Sequence, residues 1–307
     1  MNTTAGTLIT YNPVTVSPDD SIAQVLRLME ECETHHVPVV DEAFHLLGII
    51  SDLDIARCLE FNDTGDDGAA TANGERAWPD APRSSCEDSL LCRDANRDAL
   101  PTAGEMMTRT VTALESDLAP LVALQAILDK RFHSIPITAA GRLTGIVTSS
   151  DFLREFASLG PAIARNPIAK AMSPWRPTIA LDAGCDAARR LMAAHHADYL
   201  GVVEGVRPRG VLSARRLRRT NRLELIADGS FAGDDQLMVN ETASIADVFG
   251  STPETIYALD SLGEAAAILS ERKLDGLAVI DDAGRVKGMI TETDLLKALS
   301  RALARKA

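Results

Sequence analysis

Three pairs of residues combine a hydroxyl with a carboxylate three positions later, each directly after a short apolar run. The pairs are Ser51 and Asp54, Thr148 and Asp151, and Thr291 and Asp294. This pattern predicts a strand that enters a helix, whose first N–H groups lack intrahelical partners and attract phosphate or sugar oxygens. The hydroxyl can donate to a phosphate, and the carboxylate can accept from both hydroxyls of a sugar diol. Because Ser/Thr-x-x-Asp is also a self-capping helix start, helix capping is the alternative interpretation.

The three junctions are copies of one heptapeptide: Gly, two aliphatic residues, Ser or Thr, two further residues and Asp. Copies begin at Gly48, Gly145 and Gly288, and a fourth from Gly210 to Arg216 carries Arg in place of the acid. Each copy is preceded by a β-rich segment, an amphipathic stretch with helical periodicity and a second apolar run. The sequence therefore predicts four repeats of strand, helix, strand, strand, helix, each of about 50 residues. The first strands are expected at 13–16, 110–113, 177–180 and 255–258.

The element order, the run Val37-Pro38-Val39-Val40 and the four heptapeptides resemble the CBS domain, named after cystathionine β-synthase. The resemblance extends over nearly all of the chain outside one insert. It implies an α/β fold (α+β repeats) in which four β-α-β-β-α CBS repeats form two Bateman modules. It also implies a sensor of adenosine-containing molecules, which bind in clefts between paired repeats. The expected boundaries are 1–60 for repeat 1, 61–103 for a polar insert, 104–158 for repeat 2, 165–222 for a degenerate repeat 3 and 223–307 for a linker with repeat 4, so that the modules span 1–158 and 165–307.

The same resemblance implies that the hydroxyl and the acid of each junction bind nucleotide. These residues are Ser51, Asp54, Thr148, Asp151, Thr291 and Asp294. Residues before the first strands are candidates for contacts around the base. They are Thr10, Thr108, Ser173 and Ser251. Arg216 departs from the family pattern, so repeat 3 lacks the acid that would accept from the ribose.

A basic residue follows each acid position by three residues. These are Arg57, Arg154, Arg219 and Lys297. Because one helical turn separates them from the acid position, they can form simple ion pairs. Alternatively, they offset the charge of a phosphate in an otherwise acidic chain. Arg216 and its basic neighbours over 215–219 can grip phosphates, form a solvated helix face or dock a partner.

Two histidine pairs raise the question of a metal site. His35 and His36 follow Cys32, and His195 and His196 stand at the matching place in repeat 3. A position that the repeat sets is better explained as a polar helix end, where His suits the helix dipole. No metal site is predicted.

Composition restricts the class of protein. The 307 residues carry a formal net charge of −13, which argues against bulk attraction to nucleic acid. Five scattered cysteines fit a reducing compartment, and the spacing of Cys86 and Cys92 in the insert matches no recognised ligand pattern. The insert is polar, with few aliphatic residues, and is expected to be mobile. The start of the sequence lacks a signal-peptide pattern, and no apolar run approaches a membrane span, so a cytoplasmic protein is expected.

The leading functional prediction is a regulatory protein that senses AMP, ADP or ATP and passes a conformational change to an unidentified client protein. No prosthetic group is expected, while Mg²⁺ can accompany the phosphates; a homo-oligomer, such as a homodimer, is expected, and membrane or nucleic-acid partners are not. No phosphate loop or nucleophile elbow is present in the sequence, so an enzyme is not predicted. The alternatives are an assembly scaffold with decayed sites, S-adenosylmethionine binding, or RNA binding through the basic cluster.

Overall fold

A computed structural model of the chain describes residues 8–52, 54–55, 101–117, 119–219, 223–226, 236–239, 244–249 and 252–305. The predicted insert lies outside these residues except at its last few positions, and so do Arg57 and Ser251. For Arg219 the structure describes the backbone alone.

Repeats 1 and 2 follow the predicted element order. Repeat 1 comprises β1 (Thr10–Tyr11), α1 (Ile22–Glu31), β2 (His36–Val40) and β3 (Leu46–Ser51), after which residues 52, 54 and 55 are helical. Repeat 2 comprises α2 (Ala103–Met106), β4 (Leu114–Glu115), α3 (Pro120–Lys130), β5 (Ser134–Ala139), β6 (Arg142–Thr148) and α4 (Ser149–Arg154). Two short helices then lead towards repeat 3: α5 (Phe156–Leu159) and α6 (Pro161–Ala164).

Repeats 3 and 4 have the same order. Repeat 3 comprises β7 (Thr178–Ala180), α7 (Cys185–His195), β8 (Tyr199–Glu204), β9 (Arg207–Ser213) and α8 (Ala214–Arg219). A hairpin of β10 (Leu223–Ile226) and β11 (Gln236–Val239) and the short helix α9 (Ile245–Val248) follow. Repeat 4 comprises β12 (Thr255–Tyr257), α10 (Leu262–Glu271), β13 (Gly276–Ile280), β14 (Val286–Thr291) and α11 (Glu292–Ala304).

Each repeat builds its sheet in the same way. The first strand pairs in parallel with the second, and the second and third form an antiparallel hairpin. In repeat 1 the parallel pairing is reduced to one bridge, between Val16 and Val39, next to the β2–β3 hairpin. Every second strand has a register irregularity near its end, such as that between Val39 and Val40. The predicted α/β architecture of four repeats is confirmed.

Three local predictions need correction. The first strand of repeat 1 was expected at 13–16, but β1 is Thr10–Tyr11 and pairs with β6, and within 13–16 only Val16 forms a bridge. The first strand of repeat 2 was expected at 110–113 but is Leu114–Glu115, because Leu114 is the residue in register with Ile137. The interpretation of His35 and His36 as a helix end is wrong. Helix α1 ends at Glu31, the chain turns through Glu33 with a φ of 50°, and His36 is the first residue of β2.

The segments that precede the first strands cross to the other repeat of their module. Thr10 pairs with Ile146 on β6, and Thr108 exchanges two backbone hydrogen bonds with Ile49 on β3. Ser173 does the same with Met289 on β14, with N···O distances of 2.8 and 2.9 Å. This reciprocal pairing joins repeat 1 to repeat 2 and repeat 3 to repeat 4.

The exchange gives a physical reason for the glycine that opens each heptapeptide. A Cβ on Gly145 would lie 2.3 Å from the Ile9 side chain and 3.0 Å from the Thr10 carbonyl oxygen. A Cβ on Gly288 would lie 2.6 Å from the Ser173 carbonyl oxygen. Only a residue without a side chain lets the partner segment approach this closely.

The hydrophobic cores link the two modules. Repeats 1 and 3 each enclose a core of their own, whereas repeats 2 and 4 share a single one. Helices α10 and α11 pack on α3 and α4, and fully buried side chains such as Phe152 and Leu299 fill the contact. Burial of apolar surface at about 25 cal/mol per Å² makes such a contact the main attraction between the modules.

Candidate functional site: the strand-to-helix junctions

The three predicted Ser/Thr-x-x-Asp pairs have one common geometry. At Thr148 and Asp151, the Thr148 N–H and hydroxyl both donate to Asp151 Oδ2, at 2.8 and 2.7 Å, and the Asp151 N–H donates back to Thr148 Oγ1 at 3.3 Å. Thr291 with Asp294, and Ser51 with Asp54, repeat these three bonds within 0.2 Å. Each pair is therefore a full capping box, and helix capping accounts for one carboxylate oxygen of each acid.

The second carboxylate oxygen distinguishes the junctions. Asp294 Oδ1 accepts a hydrogen bond from the Ser173 hydroxyl at 2.8 Å, across the boundary between repeats 4 and 3. Asp151 Oδ1 accepts from Arg154 at 2.8 Å, so Arg154 forms the simple ion pair that its spacing allows. Asp151 is 4% exposed, while Asp294 and Asp54 are half-buried. At Asp294 the second carboxylate oxygen thus accepts from a hydroxyl that enters from another repeat.

The structure brings the residues before the first strands to different junctions from those beside them in sequence. Thr10 lies against β6, the strand that leads to Thr148 and Asp151, and Thr108 lies against β3, which leads to Ser51. Ser173 reaches Asp294 itself. Lys297 is exposed on α11. Sequence spacing could not assign these partners, because each bond joins different repeats.

The degenerate junction of repeat 3 is filled by its own arginine. The guanidinium of Arg216 donates to both carboxylate oxygens of Glu254, at 2.8 and 3.0 Å, and to the Val248 carbonyl at 2.7 Å. It also stacks over the Phe249 ring at 4.3 Å. Ser213 still accepts from the Arg216 N–H at 2.8 Å, so the helix cap survives without the acid. The guanidinium of Arg216, predicted as a phosphate ligand, thus forms an internal salt bridge, and its phosphate-binding role stays a prediction.

A polar cluster between the modules was missed in the sequence. Arg215 bonds to Asp275 and lies 3.4 Å from Glu292, and Ser213 also donates to Asp275. His133 Nδ1 from repeat 2 lies 3.4 Å from Glu292 Oε1. The Tyr199 hydroxyl hydrogen-bonds Thr293 at 2.9 Å. The basic cluster of repeat 3 thus includes one arginine that joins its own repeat to repeat 4.

The protonation states of this cluster follow from burial and charge. Burial alone would raise the pKa of Glu292, but Arg215, and then His133 and Ser149, hold that pKa at about 2. Burial, with the charges of His133 and Arg215 and against that of Asp52, lowers the pKa of His36 to about 3. Burial also raises the pKa of the Tyr199 hydroxyl. At neutral pH Glu292 is therefore ionised, while His36 and the Tyr199 hydroxyl are neutral.

The signal for this cluster is positional. In all four repeats the residue before the second strand accepts a backbone hydrogen bond from the residue after the helix N-cap. The accepting positions are occupied by His35, His133, Asp198 and Asp275. An alignment of the four repeats would have shown a polar residue directly before the second strand in each of them.

Neither a metal-ligand cluster nor a membrane-spanning helix is found in the described part of the chain. Among the residues with described positions, no group of three or more His, Cys, Asp and Glu side chains is arranged to hold a metal ion. Nor is any helix there both long enough and apolar enough to cross a bilayer.

The chain is similar to proteins that contain the CBS domain. The family model for the CBS domain matches residues 5–60, 103–158 and 245–301, which is more than half of the chain. The CBS domain-containing protein CBSCBSPB2 of Arabidopsis thaliana is 27% identical over 182 residues, which cover 56% of this chain and 32% of that protein. The CBS domain-containing protein DDB_G0289609 of Dictyostelium discoideum is 28% identical over 127 residues, which cover 41% of this chain and 86% of that protein. This chain thus aligns with only about a third of the length of the Arabidopsis protein.

Two solved structures share the fold over nearly the whole chain. Protein MJ1225 of Methanocaldococcus jannaschii has a TM-score of 0.66 at 20% sequence identity, covering 96% of this chain and 99% of its own. An uncharacterised conserved protein of Pyrococcus horikoshii has a TM-score of 0.56 at 17% identity, with coverage of 96% and 99%. At identities this low, the structural similarity shows the fold alone. The ligand has to be argued from the site.

Proposed function

Because this chain belongs to the CBS-domain family, we propose that it is a regulatory protein that binds an adenosine-containing nucleotide, AMP, ADP or ATP, at its strand-to-helix junctions. The change in geometry between repeats is then read by a partner protein. The observation that carries the proposal is the bond from the Ser173 hydroxyl to Asp294 Oδ1, which places this carboxylate oxygen at the boundary between two repeats. Cytoplasmic location and self-association stay predictions.

The chemistry of this contact suits a ribose. Asp294 Oδ2 is engaged by its own helix cap, and Oδ1 accepts from a neutral hydroxyl that enters from another repeat. A ribose hydroxyl offers the same donor, and a second hydroxyl can bond to Ser173 in turn, because serine both donates and accepts. Hydrogen bonds to an ionised acceptor are about twice as strong as neutral ones.

The three junctions differ in how well they suit a phosphate. In repeat 4 the residue after the N-cap is Glu292, which stays ionised and places a negative charge at the helix start. In repeat 1 that residue is Asp52, which lies 3.2 Å from His35. Repeat 2 has Ser149 there, and Arg154 lies beside its acid. We infer that repeat 2 is the junction most favourable to phosphate.

The second candidate is an assembly scaffold. The scaffold function is favoured by the junction of repeat 3, where Arg216 forms a salt bridge with Glu254. The full capping boxes also give the three acids a structural role without any ligand. Against it, capping leaves the cross-repeat contact of Asp294 unexplained, because a cap needs only one carboxylate oxygen.

A matched pair of variants separates the two functions. Asp294→Ala removes a cap and the proposed ribose contact, while Asp247→Ala removes the same type of cap from α9, where Ser244 donates to Asp247 at 2.8 and 2.9 Å. Loss of a cap costs about 1 kcal/mol of stability in either variant. We expect only Asp294→Ala to weaken ligand binding, by tenfold or more in isothermal titration calorimetry.

The ligand itself is tested by thermal shift. Adenosine, AMP, ADP, ATP and S-adenosylmethionine, with and without Mg²⁺, are each added at ~100 times the dissociation constant, which adds about 2.7 kcal/mol. For modules of this size the melting temperature then rises by roughly 5–10 °C. Single-stranded RNA serves as the negative control. If none of the adenosine compounds raises the melting temperature, the scaffold function is the correct one.

A further inference from the structure

A cavity of about 680 Å³ lies between repeats 3 and 4. Its walls come from the segment after Ser173, from the hairpin of β8 and β9, and from the hairpin turn before β14. Apolar side chains dominate the walls, including Trp175, Val203 and Val286, and Arg207 and Arg285 stand at the rim. The lining contains no acidic residue. Such a cavity suits a flat, uncharged ring system.

Trp175 has a built seat in this cavity. Its indole lies on the backbone of Gly201, where a Cβ would come within 2.7 Å of two ring carbons. The equivalent position in repeats 1 and 2 is proline, at Pro38 and Pro136. Repeat 3 therefore combines a large aromatic residue with the loss of the side chain beneath it. One face of the indole rests on the strand, and the rest of the ring borders the cavity.

Trp175 follows Ser173, which belongs to the proposed site of repeat 4, by two residues. Ser173 pairs antiparallel with Met289, so the chain from Ser173 to Trp175 runs along β14 towards Val286 and away from Thr291. Two residues of extended chain span about 7 Å. Ser173, which bonds to Asp294, is thus separated by this short stretch of chain from Trp175, which borders the apolar cavity.

We propose that Trp175 stacks on the base of the nucleotide whose ribose binds Asp294. This inference rests on the proposed function and adds to it the residue that holds the base. Stacking on an aromatic side chain strengthens the binding of any base, because every base has a π-face. In the segments that precede the first strands of repeats 1 and 2, the residues equivalent to Trp175 are Asn12 and Thr110. The repeat 4 junction is therefore the one built to select an aromatic base.

Intrinsic fluorescence tests this directly. The chain has two tryptophans, so Trp78→Phe makes Trp175 the sole indole reporter. Adenosine should quench its emission with saturation, and ribose, which lacks the base, should leave it unchanged. In this background Asp294→Ala should abolish the quench, while Asp247→Ala should keep it.

Substitutions at the seat complete the test. Trp175→Leu should lower the affinity for adenosine about tenfold in calorimetry, and Trp175→Phe should restore part of it. Gly201→Ala keeps the indole but displaces it from its seat, and should weaken binding too. Melting temperatures confirm that each variant is folded.

The outcomes separate this inference from the proposed function. Adenosine binding in calorimetry without any change at Trp175 would leave the nucleotide function intact and overturn the stacking role. Tighter binding by Trp175→Leu would mean that the indole blocks the cavity, which also overturns it. Absence of adenosine binding to the unmodified chain would overturn both.

Discussion

Replacement of Arg215 by Met should separate the contribution of the polar cluster from that of the hydrophobic contact between modules. Arg215 bonds to Asp275 and lies beside Glu292, and both carboxylates are 4% exposed. Met fills a similar volume but leaves two buried acids without their cation. Removal of one partner from a buried ion pair costs about 3–5 kcal/mol. For a unit of 150–250 residues this lowers the melting temperature by roughly 10 °C.

The pH dependence of this loss gives the sharper test. In the unmodified chain the pKa of Glu292 is about 2, below its ordinary 4.5, so its stabilising effect is complete above pH 4.5 and disappears as the pH falls towards 2. That shift corresponds to roughly 3 kcal/mol. Without Arg215, burial should raise the pKa of Glu292 above 4.5, so that the variant becomes more stable as the acid protonates. The difference in stability between the two proteins should therefore shrink from pH 7 to pH 3.

The assay is thermal unfolding by calorimetry at pH 7, 5 and 3.5. Arg189→Met is the matched control, because Arg189 pairs with Asp186, which is 72% exposed, and such pairs are worth about 0–1 kcal/mol. The double variant with Glu292→Gln should recover part of the loss, since it removes one stranded charge. A melting temperature for Arg215→Met that matches Arg189→Met at pH 7, or a gap that stays constant with pH, would refute the reasoning.

Two further substitutions test the junctions. Arg216→Ala should destabilise the chain by about 3 kcal/mol in chemical denaturation, because it strands the carboxylate of Glu254, which is 8% exposed; the reasoning fails if Glu254→Gln in the same background restores nothing. Gly288→Ala should cost about 1–3 kcal/mol and weaken nucleotide binding, because its Cβ would lie 2.6 Å from the Ser173 carbonyl oxygen. Gly184→Ala, whose Cβ meets open space, is the control, and equal losses from both glycine variants would contradict the close approach.

The parts of the fold that sequence could predict are those with local signals. The capping boxes join residues three apart, so the pairs Ser51–Asp54, Thr148–Asp151 and Thr291–Asp294 could be read from the sequence and are confirmed as helix starts. Repetition added certainty, because four copies of one strand-to-helix pattern cannot all be accidental. The opening glycine was also visible, although its reason was not.

The exchange between repeats could not be predicted from spacing. Ser173 and Asp294 are 121 residues apart, and nothing near either residue identifies the other. Sequence reasoning treated capping and ligand contact as alternatives, whereas in the structure one oxygen of Asp294 caps the helix and the other accepts a hydrogen bond from Ser173. The fate of Arg216 was hidden for the same reason. Its partner Glu254 belongs to another repeat, so the arginine looked available for phosphate.

The first turn of α11 connects the proposed site with the module interface. Thr291 and Asp294 face the cleft that receives Ser173, whereas Glu292 and Thr293, between them in sequence, contact His133 and Tyr199. A single helical turn is rigid, so a ligand that moves Asp294 also moves the two residues between. The affected partners belong to repeats 2 and 3, and His133 lies in the other module. A nucleotide bound between repeats 3 and 4 would in this way change the contact of repeat 4 with repeat 2. The free energy of this coupling cannot exceed the difference in the binding free energy of the nucleotide between the two arrangements of these repeats.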